Sequence, residues 1–71
     1  MTAKEMFEQL GYKQMPNSSL GITYYNDSFT IYFFSLTNQY SKVSSTSDKA
    51  SVAIGVDEHK AIAKQLEELS W

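Results

Sequence analysis

The sequence predicts an α+β domain over residues 1–71: an antiparallel β-meander of three to four strands with an N-terminal and a C-terminal helix on one face, in the order α-β-β-β-β-α. Three observations predict it. Apolar residues recur at helical spacing near both ends, the middle is rich in β-branched and aromatic residues with period two, and turn-forming clusters separate the runs. The length allows a single domain, because a chain this short buries only roughly 60% of its unfolded surface and could not divide it between two cores.

The first helix carries its own punctuation. Thr2 with Glu5 three residues later is a capping box, and Ala3, Met6, Phe7 and Leu10 form one apolar stripe. Gly11 should stop the helix in the left-handed conformation, letting Tyr12 fold back over Phe7 in a Schellman-type contact. Residues 13–19 read as a connector, with Pro16-Asn17-Ser18-Ser19 as turn chemistry.

Residues 20–25 and 29–36 read as two strands joined at Asn26-Asp27-Ser28. A two-residue loop at Asp27-Ser28 sets Tyr24 opposite Ile31, Ile22 opposite Phe33, Thr23 opposite Tyr32 and Tyr25 opposite Thr30. That register keeps apolar pairs on one face and amphipathic pairs on the other, whereas a three-residue loop would mix them. A second turn at Thr37-Asn38-Gln39 leads into a strand over residues 40–45. Taken as three residues, it sets Val43 against Phe33 in the core and sends Tyr40 and Lys42 to the opposite face. Residues 44–49 are a polar hairpin loop, and residues 50–54 form a short fourth strand with Val52 and Ile54 inward, broken by Gly55.

The last helix is expected over residues 57–69. Asp57 is its N-cap, and Val56 is placed to staple onto Ala61. Ile62, Leu66 and Leu69 share the apolar face, while Glu58, Lys60, Lys64, Glu67 and Glu68 point to water. Trp71 should fold back onto the domain, since its indole can cover about 150–250 Å².

Both helices also carry a likeness. Lys4-Glu5-Met6-Phe7-Glu8 with Leu10-Gly11-Tyr12, and Ala61-Ile62 with Lys64-Gln65-Leu66-Glu67-Glu68-Leu69 and Trp71, resemble a group of short proteins from prophages and mobile elements of Gram-positive bacteria. Members of that group tend to have Gly before the final Trp, where this chain has Ser70. The resemblance implies a phage or mobile-element origin. The group has no assigned activity, so no functional residue is carried over.

Charge and composition narrow the function classes. Six Lys against eight Asp or Glu give a net charge of −2. The lysines are scattered, and no basic face of the kind that releases counterions from phosphates is visible. The absence of cysteine excludes disulfides and thiolate metal sites. His59 is the only conventional general base, and no serine sits in a nucleophile motif. Asp57, Glu58 and His59 are sequence neighbours that point in different directions on a helix, so they cannot share an ion. Asn26-Asp27-Ser28 lacks the glycine and bidentate Glu of a calcium loop, and Gly11, Gly21 and Gly55 are isolated rather than gathered in a phosphate cradle. The expectation is a non-enzyme with no cofactor, no catalytic residue and no metal site. No run approaches the ~20 apolar residues of a membrane span, and residues 1–5 lack a signal-peptide core, so the chain is expected in the bacterial cytoplasm.

Ten aromatics (one Trp, five Tyr, four Phe) exceed what so small a core needs. The registers above put Tyr25, Tyr32, Phe34 and Tyr40 on the sheet face away from the helices, as candidate partner-binding residues. Such a face suits a protein interface, including a homodimer, where Tyr and Phe are enriched and charge is depleted. It could also stack bases of single-stranded nucleic acid, but only Lys42 is placed to supply the positive groove which that requires. The Ser-rich loop and the connector could equally cover part of it.

Overall fold

The Glu5 N–H donates to Thr2 Oγ1 at 3.2 Å and the Thr2 N–H donates to Glu5 Oε1 at 2.8 Å, so the capping box forms and starts α1 (Ala3–Gln9). The structure is a computed structural model describing residues 1–16, 21–44 and 52–71. At the other end of α1, Gly11 takes φ +92°. Its N–H donates to Glu8 O and the Tyr12 N–H to Phe7 O, both at 3.0 Å, which is the double bond of a Schellman motif. Tyr12 then meets Phe7 edge to face, with ring centroids 5.8 Å apart.

The chain continues through β1 (Lys13–Gln14), β2 (Gly21–Tyr25), β3 (Phe29–Phe34), β4 (Gln39–Ser44) and α2 (Val56–Glu68). The four strands form one antiparallel meander in sequence order. β2 and β3 pair in the expected register, Tyr24 with Ile31, Ile22 with Phe33, Thr23 with Tyr32 and Tyr25 with Thr30. Asn26 closes this hairpin: its N–H donates to Phe29 O, and its side-chain oxygen accepts from the Ser28 and Phe29 N–H groups at 2.8 and 2.7 Å.

Phe7, Tyr12, Tyr24, Ile31, Phe33, Ala61 and Ile62 form the buried core, where both helices meet one face of the sheet. Phe7 stacks on Tyr24 at 4.1 Å. The Tyr24 hydroxyl donates to Gln65 Oε1 at 2.6 Å, so the one polar side chain that α2 buries fully is satisfied.

Several expectations are corrected. The second hairpin turns through residues 35–38, because Asn38 takes a left-handed φ of +52° and Gln39 already pairs with Phe34. The loop therefore has one residue more than expected, and each side chain of β4 changes face. Tyr40 opposes Phe33 and Lys42 opposes Ile31 on the helix side, while Val43 pairs with Thr30 on the outer side. Among the described residues the fourth strand is β1, within the presumed connector, and the described part of the strand expected over residues 50–54 is not a strand. Val52, Ala53 and Ile54 lie outside regular structure, with Val52 and Ile54 exposed. A two-residue strand of Lys and Gln carries no alternating apolar pattern, so its pairing comes from the backbone alone.

At α2 the N-cap is Gly55, not Asp57, and Val56 is 72% exposed, which leaves it no staple role. Glu58 and Glu68 do not simply point to water. Glu68 Oε2 accepts the Ala3 N–H at 2.7 Å, tying the end of α2 to the start of α1. Leu20, the turn at residues 17–19, the loop from residue 45 to 49 and residues 50–51 lie outside the described residues.

A candidate interaction face

Strand parity gives the sheet a helix-covered face and an outer face. On the outer face Lys13, Tyr25, Thr30 and Val43 form one row across the four strands. The Met15 N–H donates to Thr23 O at 2.8 Å, which continues the β1 register and sets Met15 in the next row with Thr23, Tyr32 and Ser41. Gly21, Phe34 and Gln39 make the third. Lys13, at a corner, is the single charged residue among these outer positions.

Three of the four residues expected on this face are there. Tyr32 and Phe34 are half-buried and stack with ring centroids 5.7 Å apart and planes 14° from parallel. Tyr25 lies toward the β1 corner, 36% exposed. Tyr40 is not on this face: it packs against Phe33 on the helix side, ring centroids 5.8 Å apart, because of the longer turn. Met15 and Val43, each 41% exposed, take its place. Once β1 and the four-residue turn are known, parity finds both. Beyond Phe34, fully exposed Leu36 joins Phe34, Thr37 and Gln39 around an open, mainly apolar groove of about 290 Å³.

The helix side carries a polar cluster that sequence reasoning missed. Lys42 Nζ donates to Glu58 Oε1 at 2.9 Å and to Ala53 O at 2.8 Å, and lies 4.1 Å from the centroid of the Phe29 ring. Glu58 also accepts the Tyr12 hydroxyl at 2.6 Å and the Gly55 N–H at 3.2 Å. Burial pushes the Glu58 carboxyl up, but the hydrogen bonds from Tyr12, Lys42 and Gly55, with the Lys42 charge, outweigh it and hold the group below the usual carboxylate range. Burial, and then the Glu58 carboxylate, push the Tyr12 hydroxyl up. Each charged group here faces a partner inside the cluster, so the arrangement braces β4, α2 and the end of α1 against one another. It has no free acid or base to offer a substrate.

His59 is exposed on α2. Among the described residues, no group of three or more His, Asp or Glu side chains is placed to hold a metal ion, and no helix is long and apolar enough to cross a membrane. Comparison with protein-family models, with curated proteins and with solved structures finds no match to this chain.

Proposed function

We propose that this protein is a non-enzymatic accessory protein of a phage or mobile element, working in the cytoplasm of a bacterial host by binding another protein through the outer face of its sheet. The origin rests on the likeness of the two helices described above. The binding role rests on one observation: Met15, Tyr25, Tyr32, Phe34 and Val43 share a face whose single charge among the described residues is Lys13 at the corner. Depletion of charge around aromatic and Met side chains is the composition of an interface core. The same feature weighs against single-stranded nucleic acid, because Lys42 is committed to Glu58 on the other side of the sheet.

The test is affinity capture from a bacterial host with the wild-type protein, with Tyr32→Lys and with Val56→Lys, a charge placed on exposed α2. A partner held by wild type and Val56→Lys but lost with Tyr32→Lys supports the reading. Capture that Tyr32→Lys leaves unchanged overturns it. Titration with single-stranded oligonucleotides at low salt should show no binding, and salt-sensitive binding there would favour the nucleic-acid alternative.

A further inference from the structure

We infer that the Lys42–Glu58 ion pair is the register lock of β4, holding the strand in its observed pairing against a one-residue slip that the apolar pattern alone would allow. The inference concerns the strand and does not depend on what the outer face binds.

The side chains of β4 do not choose a face by themselves. Alternation sets Tyr40, Lys42 and Ser44 on one side and Gln39, Ser41 and Val43 on the other, so each side offers one bulky residue to a core. In the observed register Tyr40 packs on Phe33 yet stays 42% exposed, while Val43 is 41% exposed on the outer face. A slip by one residue in either direction exchanges the two sets. Val43 would come to the helix side opposite Ile31 or Phe29, and Tyr40 and Lys42 would turn outward in its place. Among the described residues β4 pairs with β3 alone, so no second neighbour fixes it. Nor does the turn insist on this register, because Asn38 sits at a left-handed φ of +52° that asparagine tolerates rather than prefers.

Lys42 breaks the tie. Its contacts to Glu58 Oε1, Ala53 O and the Phe29 ring lie on the helix side. Glu58 is fixed there by Tyr12 and Gly55, so the carboxylate cannot follow the lysine outward. No carboxylate stands among the described outer positions to replace it. A slipped strand would therefore give up a buried pair and gain the burial of one valine, and stranding the pair's partners outweighs that gain. Fixing a register is the best-supported role of buried ion pairs, whose net worth to stability is small. Without the charge of Glu58 the balance reverses. The Lys42 side chain, 4% exposed, would hold a desolvated charge with no counter-charge, and the slip would return it to water while burying Val43.

Nuclear magnetic resonance of wild type and Glu58→Gln tests the lock. Asn26 and Phe29 form a hydrogen-bonded pair, so by alternation Ile31–Lys42 and Phe33–Tyr40 are non-hydrogen-bonded pairs, whose Cα–H groups lie close together. Wild type should show both Hα–Hα contacts. Glu58→Gln should lose both and bring the Val43 methyls onto Ile31 or Phe29. An amine-acetylating reagent should then modify Lys42 more than about tenfold faster than in wild type, at a rate near that of exposed Lys60. Adding Lys42→Met to Glu58→Gln should restore both contacts, because no charge is left to expel and the apolar side chain favours the helix side. A pair that only added stability would weaken the fold without moving Val43. Glu58→Gln that keeps both contacts overturns the inference. So does one that unfolds, since no second register would then exist to lock out, and so does a double variant that stays slipped.

Discussion

Lys42 Nζ lies 2.9 Å from Glu58 Oε1 with 4% of the lysine side chain and 16% of the glutamate side chain exposed, so an ion pair joins the edge strand β4 to the first turn of α2. Removing one partner of a buried pair is worse than never having built it, because the other charge stays desolvated. Glu58→Ala also strips the acceptor from Tyr12 and the back-bond from Gly55. It should lower unfolding free energy by about 3 kcal/mol in denaturant titrations, against well under 1 kcal/mol for Glu67→Ala in the more exposed Lys64–Glu67 pair.

The same carboxylate predicts an acid limb. Glu58 ionises more readily in the folded chain than in the unfolded one. Its stabilisation is therefore complete above the unfolded value of about 4.3 and is lost as pH falls through the lower folded value. Glu5, held down by its hydrogen bonds to the Thr2 N–H and hydroxyl, acts in the same direction from the surface. Melting temperatures measured downward from pH 5 should fall for wild type and fall less steeply for Glu58→Gln. Parallel curves would show that Glu58 does not carry the effect.

Tyr24 gives an alkaline counterpart. Burial, reinforced by the Glu68 and Glu8 charges, pushes its hydroxyl up to about 12. A raised folded value means that stability is full below the unfolded value near 10 and declines as pH rises through about 12. Tyr24→Phe should remove this contribution to the alkaline limb and, by leaving buried Gln65 Oε1 without its donor, reduce stability by about 1–3 kcal/mol at pH 7.

Gly11 and Gly21 separate backbone strain from steric conflict. Both have positive φ, +92° and +136°. A Cβ at Gly11 meets nothing within 4 Å, so Gly11→Ala should lose only the left-handed preference, about 1–2 kcal/mol. A Cβ at Gly21 would strike the Phe33 carbonyl oxygen in the neighbouring strand. Gly21→Ala should therefore part β2 from β3 and destabilise the domain far more than Gly11→Ala, as read by thermal melts of the two variants.

Legibility followed the locality of each cue. The α1 caps and the β2–β3 register were readable because Thr2, Glu5, Gly11 and Asn26 act within a few residues of where they sit, and a wrong parity would have mixed Tyr24 with Thr30. The β3–β4 register was not, because it depends on whether Asn38 enters the left-handed region, and one residue of turn length inverts Tyr40, Lys42 and Val43 together. Glu58 resembles any solvated helix charge until Lys42 is known to face it. On the outer face Tyr25, Tyr32 and Phe34 followed from the legible hairpin, and Tyr40 was misplaced by the illegible one.

Ser70 occupies the position where the end of α2 repeats the end of α1. The Ser70 N–H donates to Glu67 O at 3.1 Å and the Trp71 N–H to Leu66 O at 3.0 Å, the same pair of bonds that Gly11 and Tyr12 make to Glu8 and Phe7. Both motifs deliver an aromatic to the core: Tyr12 against Phe7, and Trp71 with its ring centroid 6.4 Å from that of Phe33. Ser70, however, holds φ +60° with a side chain that disfavours it. Relief of that preference is worth about 1–2 kcal/mol, and the greater freedom of glycine in the unfolded chain takes back about 0.5–1 kcal/mol. Ser70→Gly should thus stabilise the domain by up to about 1.5 kcal/mol, raising Tm by a few degrees. Trp71 emission, blue-shifted in the folded protein relative to denaturant, should keep its position in Ser70→Gly. Ser70→Val, β-branched at the same φ, should lower Tm and begin to shift that emission to the red. A lower Tm for Ser70→Gly than for wild type would mean that the left-handed turn is not what seats Trp71 on Phe33.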